Sequence, residues 1–209
     1  MEVIDYGELF ESNQPTRIRL DLPDAEVIHI QKFFSPKESK RLYNNLYDTI
    51  AWQQDQIKIF GKLIDLPRLT AWIGEEDELY TYSGIAMQPQ PWNKALLFIK
   101  KRIEKEADVV FTNCLLNLYR TGKDSVGWHQ DNEPELGQNP IIGSVSFGAT
   151  RSFQLKHRYR KDLKKVTIPL TDGSFLLMQG TTQHFWKHQI PKTTKVVAPR
   201  INLTFRIIK

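Results

Sequence analysis

Cysteine is nearly absent, with one in 209 residues, and that one, Cys114, lies in the apolar run from Phe111 to Leu118. A disulfide framework is excluded, and a buried, inert thiol is the default at such a position. Long hydrophobic runs are missing too. No stretch approaches the roughly 18 continuous apolar residues of a membrane-spanning helix, and the opening MEVIDYGELFESNQ has acids where a signal peptide needs positive charge. These absences predict a soluble, unprocessed, intracellular chain with no membrane partner, cytoplasmic in a bacterium or nuclear in a eukaryote. Gly/Ser/Pro linkers, internal repeats and low-complexity stretches are also lacking. With 40% apolar content, the chain reads as a single domain, 1–209, able to bury a core of ordinary size, and a monomer is expected.

Charge is present but uneven. Residues 1–86 hold 9 Lys/Arg against 15 Asp/Glu, a net of −6, and residues 87–209 hold 20 against 9, a net of +11, which together give the +5 of the whole chain. The densest basic stretch is KHRYRKDLKK, with Lys156, Arg158, Arg160, Lys161, Lys164 and Lys165. Such a stretch is either a phosphate-contacting loop or a solvated hairpin tip.

Two helices are predicted with a mechanism. Ser35-Pro36-Lys37-Glu38 combines an N-cap serine, a proline at the first helical position and a glutamate at the capping-box position, followed by Leu42, Leu46 and Ile50 at spacing four, so a helix is expected over 36–51. A second is expected from about Pro91 to Asp108, with Trp92, Leu96, Ile99 and Ile103 on one face. From Phe111 onward the pattern changes to about eight short strands rich in Val, Ile, Leu, Phe and Thr, separated by turn signals. The predicted fold class is mainly β with flanking helices, a double-stranded β-helix (jelly-roll, cupin-like) core, with a generic β-sandwich as the alternative.

His129-Gln130-Asp131 places two ligand types two residues apart, so on extended backbone both point the same way. His188 supplies a third from a late strand. Two histidines and one carboxylate leave adjacent positions open on iron(II), although a polar loop or a zinc site uses the same residues. The last strand narrows the choice. Arg200, Asn202, Thr204 and Arg206 share one face, and a guanidinium fork suits a carboxylate. Asn117 and Tyr119 add neutral hydrogen-bond partners from another strand. A dicarboxylate cosubstrate, 2-oxoglutarate, needs such an anchor, and a zinc hydrolase does not.

NLYRTG at 117–122, GWHQDNE at 127–133, SVSFGATRSF at 144–153, LTDGSFLLMQG at 170–180, HFWKHQIP at 184–191 and APRINLTFR at 198–206 resemble the AlkB family of alkylated nucleic-acid demethylases, in particular its duplex-DNA-acting branch. The resemblance implies iron(II) at His129, Asp131 and His188. It implies 2-oxoglutarate at Asn117, Tyr119, Arg200 and Arg206, with Asn202 and Thr204 nearby, and O2 as co-reactant. It further implies oxidative demethylation of alkylated DNA, of the 1-methyladenine and 3-methylcytosine type, with release of succinate, CO2 and formaldehyde. RNA, another substrate on the same scaffold, and a non-catalytic nucleic-acid-binding jelly roll are the alternatives.

The resemblance also implies a base flipped against Tyr82, with Tyr80, Ser83, His129, Asn132 and Glu133 around it, a hydrophobic finger at Phe60, and a backbone or gap contact at Arg68. Phosphate contacts fall at Lys156, Arg158, Arg160, Lys161, Lys164, Lys165, Lys192 and Lys195. On this reading 1–86 is an N-terminal extension and nucleotide-recognition lid, and 87–209 is the dioxygenase core with its supporting helix. Asn132 stands where related duplex enzymes tend to have an acid.

Overall fold

The computed structural model describes residues 14–59, 61–74, 80–82, 85–87 and 89–208. The chain runs β1 (Thr16–Leu20), β2 (Glu26–Gln31), α1 (Pro36–Thr49), β3 (Gln56–Ile59), β4 (Lys62–Asp65), β5 (Leu69–Ile73), β6 (Tyr80–Tyr82), β7 (Ile85–Met87), β8 (Pro89–Gln90) and α2 (Lys94–Ala107). It continues through β9 (Asn113–Tyr119), β10 (Val126–His129), β11 (Ile142–Gly148), β12 (Arg151–His157), β13 (Val166–Leu170), β14 (Ser174–Gln179), the short α3 (Thr182–Phe185), β15 (Trp186–Ile190) and β16 (Arg200–Arg206).

An eight-stranded sheet in the order β1-β2-β14-β11-β16-β9-β5-β8 faces a four-stranded sheet in the order β10-β15-β12-β13, which is the expected jelly roll. The hairpins β3-β4 and β6-β7 are separate two-stranded units. Both helices form where their caps place them. Ser35 Oγ accepts from the Glu38 amide, and the Glu38 carboxylate accepts from the Ser35 amide, closing the capping box of α1. Asn93 caps α2 by accepting from the Leu96 amide, so this helix starts three residues after Pro91. No described helix is long and apolar enough to cross a membrane.

The large sheet buries both its faces. On one side Leu42, Leu46, Leu96, Ile99 and Ile103 of the helices pack against Cys114, Leu116 and Leu118 of β9 and Ile201, Leu203 and Phe205 of β16. On the other, Tyr119, Leu176 and Met178 meet Phe153, Leu155, Trp186 and Ile190 of the small sheet. The division at residue 86 does not follow the architecture. β1, β2 and β5 precede it in sequence yet are strands of the main sheet, with β2 on β14 and β5 on β9. Hydrogen bonding between strands is indifferent to sequence distance, so the acidic N-terminal part contributes to the core as well as to the hairpins.

Candidate metal and keto-acid site

β10 and β15 pair so that His129 lies directly opposite His188. The register shifts between Val126 and His129, and this irregularity re-aims the end of β10. Asp131 follows two residues on. Ligand atoms of His129, Asp131 and His188 lie within 4.8 Å of one another, and this is the metal-capable group found among the described residues. His129 Nδ1 sits 2.8 Å from the Gly127 carbonyl. A carbonyl only accepts, so Nδ1 carries the proton and Nε2 keeps its lone pair, as a metal ligand requires. His188 Nε2 is 3.7 Å from Asp131 Oδ2.

Electrostatics favours the same ligand state. Burial, reinforced by His129, pulls the His188 imidazole down to about 3, so it is neutral at physiological pH. Burial alone would raise the Asp131 carboxyl. Arg206, His188 and His129 overcome that effect and hold it below its ordinary value. The donor set is therefore two imidazoles, that of His188 neutral, and one carboxylate, which fits iron(II).

Two residues the sequence did not single out fix the segment. The Asp131 amide donates to Gln183 Oε1 at 3.0 Å, and Gln130 Nε2 donates to the Gln183 carbonyl at 2.6 Å. Gln183 lies on α3, so its role depends on a turn that brings residues 52 positions apart into contact. A glutamine in a polar stretch carries no periodic signal that would have marked it.

The keto-acid residues meet because β16 and β9 pair with Tyr119 opposite Arg200 and Asn117 opposite Asn202. Arg200 is fully buried. Its Nη2 donates to Ser146 Oγ at 2.8 Å and Asn202 Oδ1 at 2.7 Å, whereas Nε and Nη1 make no hydrogen bond of normal geometry among the described residues. Burial pulls its guanidinium down to about 10, still charged at neutral pH, with Tyr119 5.2 Å away favouring the charged form. A buried cation with unused donors is costly unless an anion fills the space. This fork, with Tyr119 as its other polar neighbour, fits a carboxylate.

Arg206 has a different duty. Its Nη2 donates to Asp131 Oδ1 at 2.7 Å, so it is tied to the metal-ligand candidate. Six residues of strand, about 20 Å along the backbone, separate the two arginine Cα atoms, with Asn202 and Thr204 bonded to each other between them at 2.9 Å. The expected pair of equivalent forks thus becomes one arginine bonded to Asp131 and one, Arg200, bonded to Ser146 and Asn202 and not itself among the cavity-lining residues.

The remaining candidates divide. Asn117, Tyr119, His129, Asp131, His188, Asn202, Thr204 and Arg206 line one cavity between the sheets, joined by Arg68. Arg68 is only 4% exposed, its Nε donates to Asn117 Oδ1 at 2.6 Å and its Nη1 to the Ser125 carbonyl at 3.3 Å. Its guanidinium faces inward, which does not suit the predicted backbone contact. The apolar neighbours Leu66 and Leu69 and the polar partners inside the barrel explain the inward turn. Glu133 is half-buried, with Oε2 unpaired among the described residues, and burial raises its carboxyl above the ordinary value. Asn132 is exposed.

In the basic stretch Arg158, Arg160, Lys161, Lys164 and Lys165 are exposed on the β12–β13 connection, and Lys192 and Lys195 on the β15–β16 connection. Arg160 is paired with Asp162 at 2.7 Å, and Lys156 is half-buried over Trp128. Tyr80 and Tyr82 lie on β6; Phe60 and Ser83 lie outside the described residues.

Residues 26–206 match the family model described as the 2OG-Fe(II) oxygenase superfamily. The chain is 42% identical over 215 residues to alpha-ketoglutarate-dependent dioxygenase alkB homolog 3 of Bos taurus, covering 99% of this chain and 72% of the relative. It is 38% identical over 159 residues to DNA oxidative demethylase ALKBH2 of Bos taurus, covering 73% of this chain and 57% of the relative. Among solved structures, OsALKBH1 matches with a TM-score of 0.62 at 16% identity, over 92% of this chain and all of that one. A prolyl hydroxylase from Trichoplax adhaerens, in complex with a hypoxia inducible factor peptide, matches with a TM-score of 0.58 at 16% identity, over 87% of this chain and 83% of that one. The jelly roll, the ligand triad and relatives that align along almost its whole length agree: the chain belongs to the 2OG-Fe(II) oxygenase superfamily, within its AlkB group, and is an iron(II)- and 2-oxoglutarate-dependent dioxygenase.

Proposed function

We propose that the protein oxidatively removes methyl groups from N-alkylated bases, of the 1-methyladenine and 3-methylcytosine type, in DNA. The observation that carries the enzymatic half is the buried Arg200 fork, whose unused donors sit in the same barrel as the His129, Asp131 and His188 triad. The nucleic-acid half is supported by relatives whose names include DNA oxidative demethylase and by the exposed cations at 158–165, Lys192 and Lys195.

His129, Asp131 and His188 would hold iron, and Arg200 would take the remote carboxylate of 2-oxoglutarate. Asn117 and Tyr119 would contact the rest of it, with Arg206 anchoring Asp131 beside the end that the metal binds. When bound, iron, 2-oxoglutarate and O2 supply the oxidation, and the products are succinate, CO2, formaldehyde and the repaired base. The protein's own part is orientation and exclusion of water. Phe153 stacks on His188 with ring centroids 5.2 Å apart, and with Leu115, Met178 and Ile190 it gives the cavity an apolar wall. Glu133, whose carboxyl is raised by burial, stands two residues from Asp131 and would bond the polar edge of the base.

Duplex DNA is the proposed form of the substrate, on the strength of the β3-β4 hairpin. Ile57 and residues 66–68 face His129 across a crevice, where a finger beside Gly61 would enter a gap left by a flipped nucleotide. The test supplies iron(II), 2-oxoglutarate and ascorbate with oligonucleotides bearing 1-methyladenine as single-stranded DNA, duplex DNA and RNA, and follows loss of the methyl group by mass. Turnover confined to RNA would overturn the proposal; turnover on single strands but not duplexes would overturn the duplex part alone.

A further inference from the structure

Trp128 immediately precedes His129 on β10, and neither the metal triad nor the keto-acid site uses it. The Lys156 ammonium sits 4.3 Å from the centroid of its ring. The indole also lines a second crevice, of about 240 Å3, with Ile57, Leu66, Pro67, Arg68 and His129. One ordered water needs only about 10–15 Å3 on the same measure, so this space is sized for a ligand group rather than for solvent bridging. A Cβ built on Gly127 meets nothing within 4 Å, so this part of the strand stands open. Arg68, Val126 and His129 line the metal cavity as well, so the two spaces adjoin.

We propose that Trp128 is a stacking platform for the base next to the lesion when the substrate is a single strand. The inference rests on the proposed function and assigns this crevice a job within it. A nucleic acid is a continuous chain. Once one base enters the metal cavity, its unpaired neighbour must be placed beside the entrance, where flat apolar walls of Pro67 and Trp128 replace the stacking it has lost. Base stacking on an aromatic ring accepts any base because every base has a π-face, so the platform contributes affinity without sequence preference. Lys156, which covers the ring but does not line the crevice, adds positive charge on the side away from the base.

In a duplex that neighbour stays paired and stacked, so the platform acts on single strands only. Affinity is measured by fluorescence anisotropy for single strands bearing one 1-methyladenine, with the 5′ or the 3′ neighbour either present or replaced by an abasic site. Wild type should bind about tenfold more weakly when one of the two neighbours is removed. Trp128→Leu should bind the intact strand with that same loss and lose nothing more on the abasic strand, while Trp128→Phe keeps most of the wild-type preference. Thermal melting checks that the variants fold. Should Trp128→Leu not fold, the wild-type comparison alone still decides: equal affinity for intact and both abasic strands overturns the platform. A Trp128→Leu loss that is as large on the abasic strand as on the intact one also overturns it. Methyl loss from the intact strand by wild type is scored first. Its absence from both this strand and its duplex overturns the demethylase reading itself, its absence from the single strand alone overturns the role of Trp128, and its presence without coupling to a neighbour likewise overturns only that role.

Discussion

Alternate residues of β16 enter two different interiors. Ile201, Leu203 and Phe205 are fully buried against α1, α2 and β9, while Arg200 and Arg206 on the opposite face are as completely buried between the sheets. The first face consists of packing and has no partner to choose. The second holds two guanidiniums, an asparagine and a threonine, tied to Asp131, Ser146 and each other, and its charges are tolerated because the chain built a site around them. Equal burial therefore has opposite meanings on one strand. Removing bulk from the helix side should cost stability with little change in chemistry, and neutralising the barrel side should cost chemistry, with a stability cost where it breaks the buried Asp131–Arg206 pair.

The largest effect tests the barrel side. Asp131→Asn keeps the shape but not the charge, and it should lower 2-oxoglutarate turnover by more than about 100-fold, since losing even an outer partner of a metal ligand costs about 10–100-fold. Succinate release measures the loss, and oligonucleotide affinity should stay within about twofold of wild type. On the helix side, Leu203→Ala should lose about 2–5 kcal/mol in chemical denaturation while KM for 2-oxoglutarate moves less than about twofold. A larger KM change would show that the two faces are not separable.

Acid should expose the barrel side of the metal-free protein. His188 is held near 3 when folded and returns to about 6.5 when unfolded, so between these values the unfolded state binds more protons and stability falls as pH falls. The slope contributed is up to about 1.4 kcal/mol per pH unit. Asp131, held below its ordinary value, works in the same direction below about pH 4. A His188→Gln protein should show a shallower decline between pH 6 and pH 4, read as urea midpoints; an unchanged slope would remove His188 from this account.

Arg200→Met sharpens the comparison further. KM for 2-oxoglutarate should rise at least about tenfold, and the metal-free protein should be as stable as wild type or more so, because a buried cation with unused donors is replaced by an apolar chain of similar length. Destabilisation comparable to Leu203→Ala would mean that Arg200 is structural. The smallest effect lies outside both faces. Ser35→Ala removes the α1 cap, and should cost about 1 kcal/mol in the same denaturation assay and leave turnover unchanged.

Much of this was legible in the sequence, unevenly. Strands β9, β11, β12, β14 and β16 lie in the strand-rich part expected from Phe111 onward, because their alternation is strong and turn signals bracket them. β1, β2 and β5 were not anticipated as core strands, since an acidic, weakly periodic segment gives no indication of which distant strand it will join. The ligand triad could be read because His129 and Asp131 are neighbours on extended backbone and His188 lies in a strand with few competing histidines. The inward turn of Arg68 was not legible, because a lone arginine after a proline looks the same whether its fork turns to solvent or to Asn117.

Alternation along β16 and the H-x-D spacing follow from the two-residue period of a strand, so the sequence by itself determined which side chains share a face and which chemistry they offer. Strand register, sheet order and the turn of α3 arise from hydrogen bonds between residues tens of positions apart. Only the tertiary structure therefore decided that Arg206 secures Asp131, that Arg200 is buried on Ser146 and Asn202 instead, that Gln183 holds the metal segment, and that Trp128 lines a crevice adjoining the metal cavity.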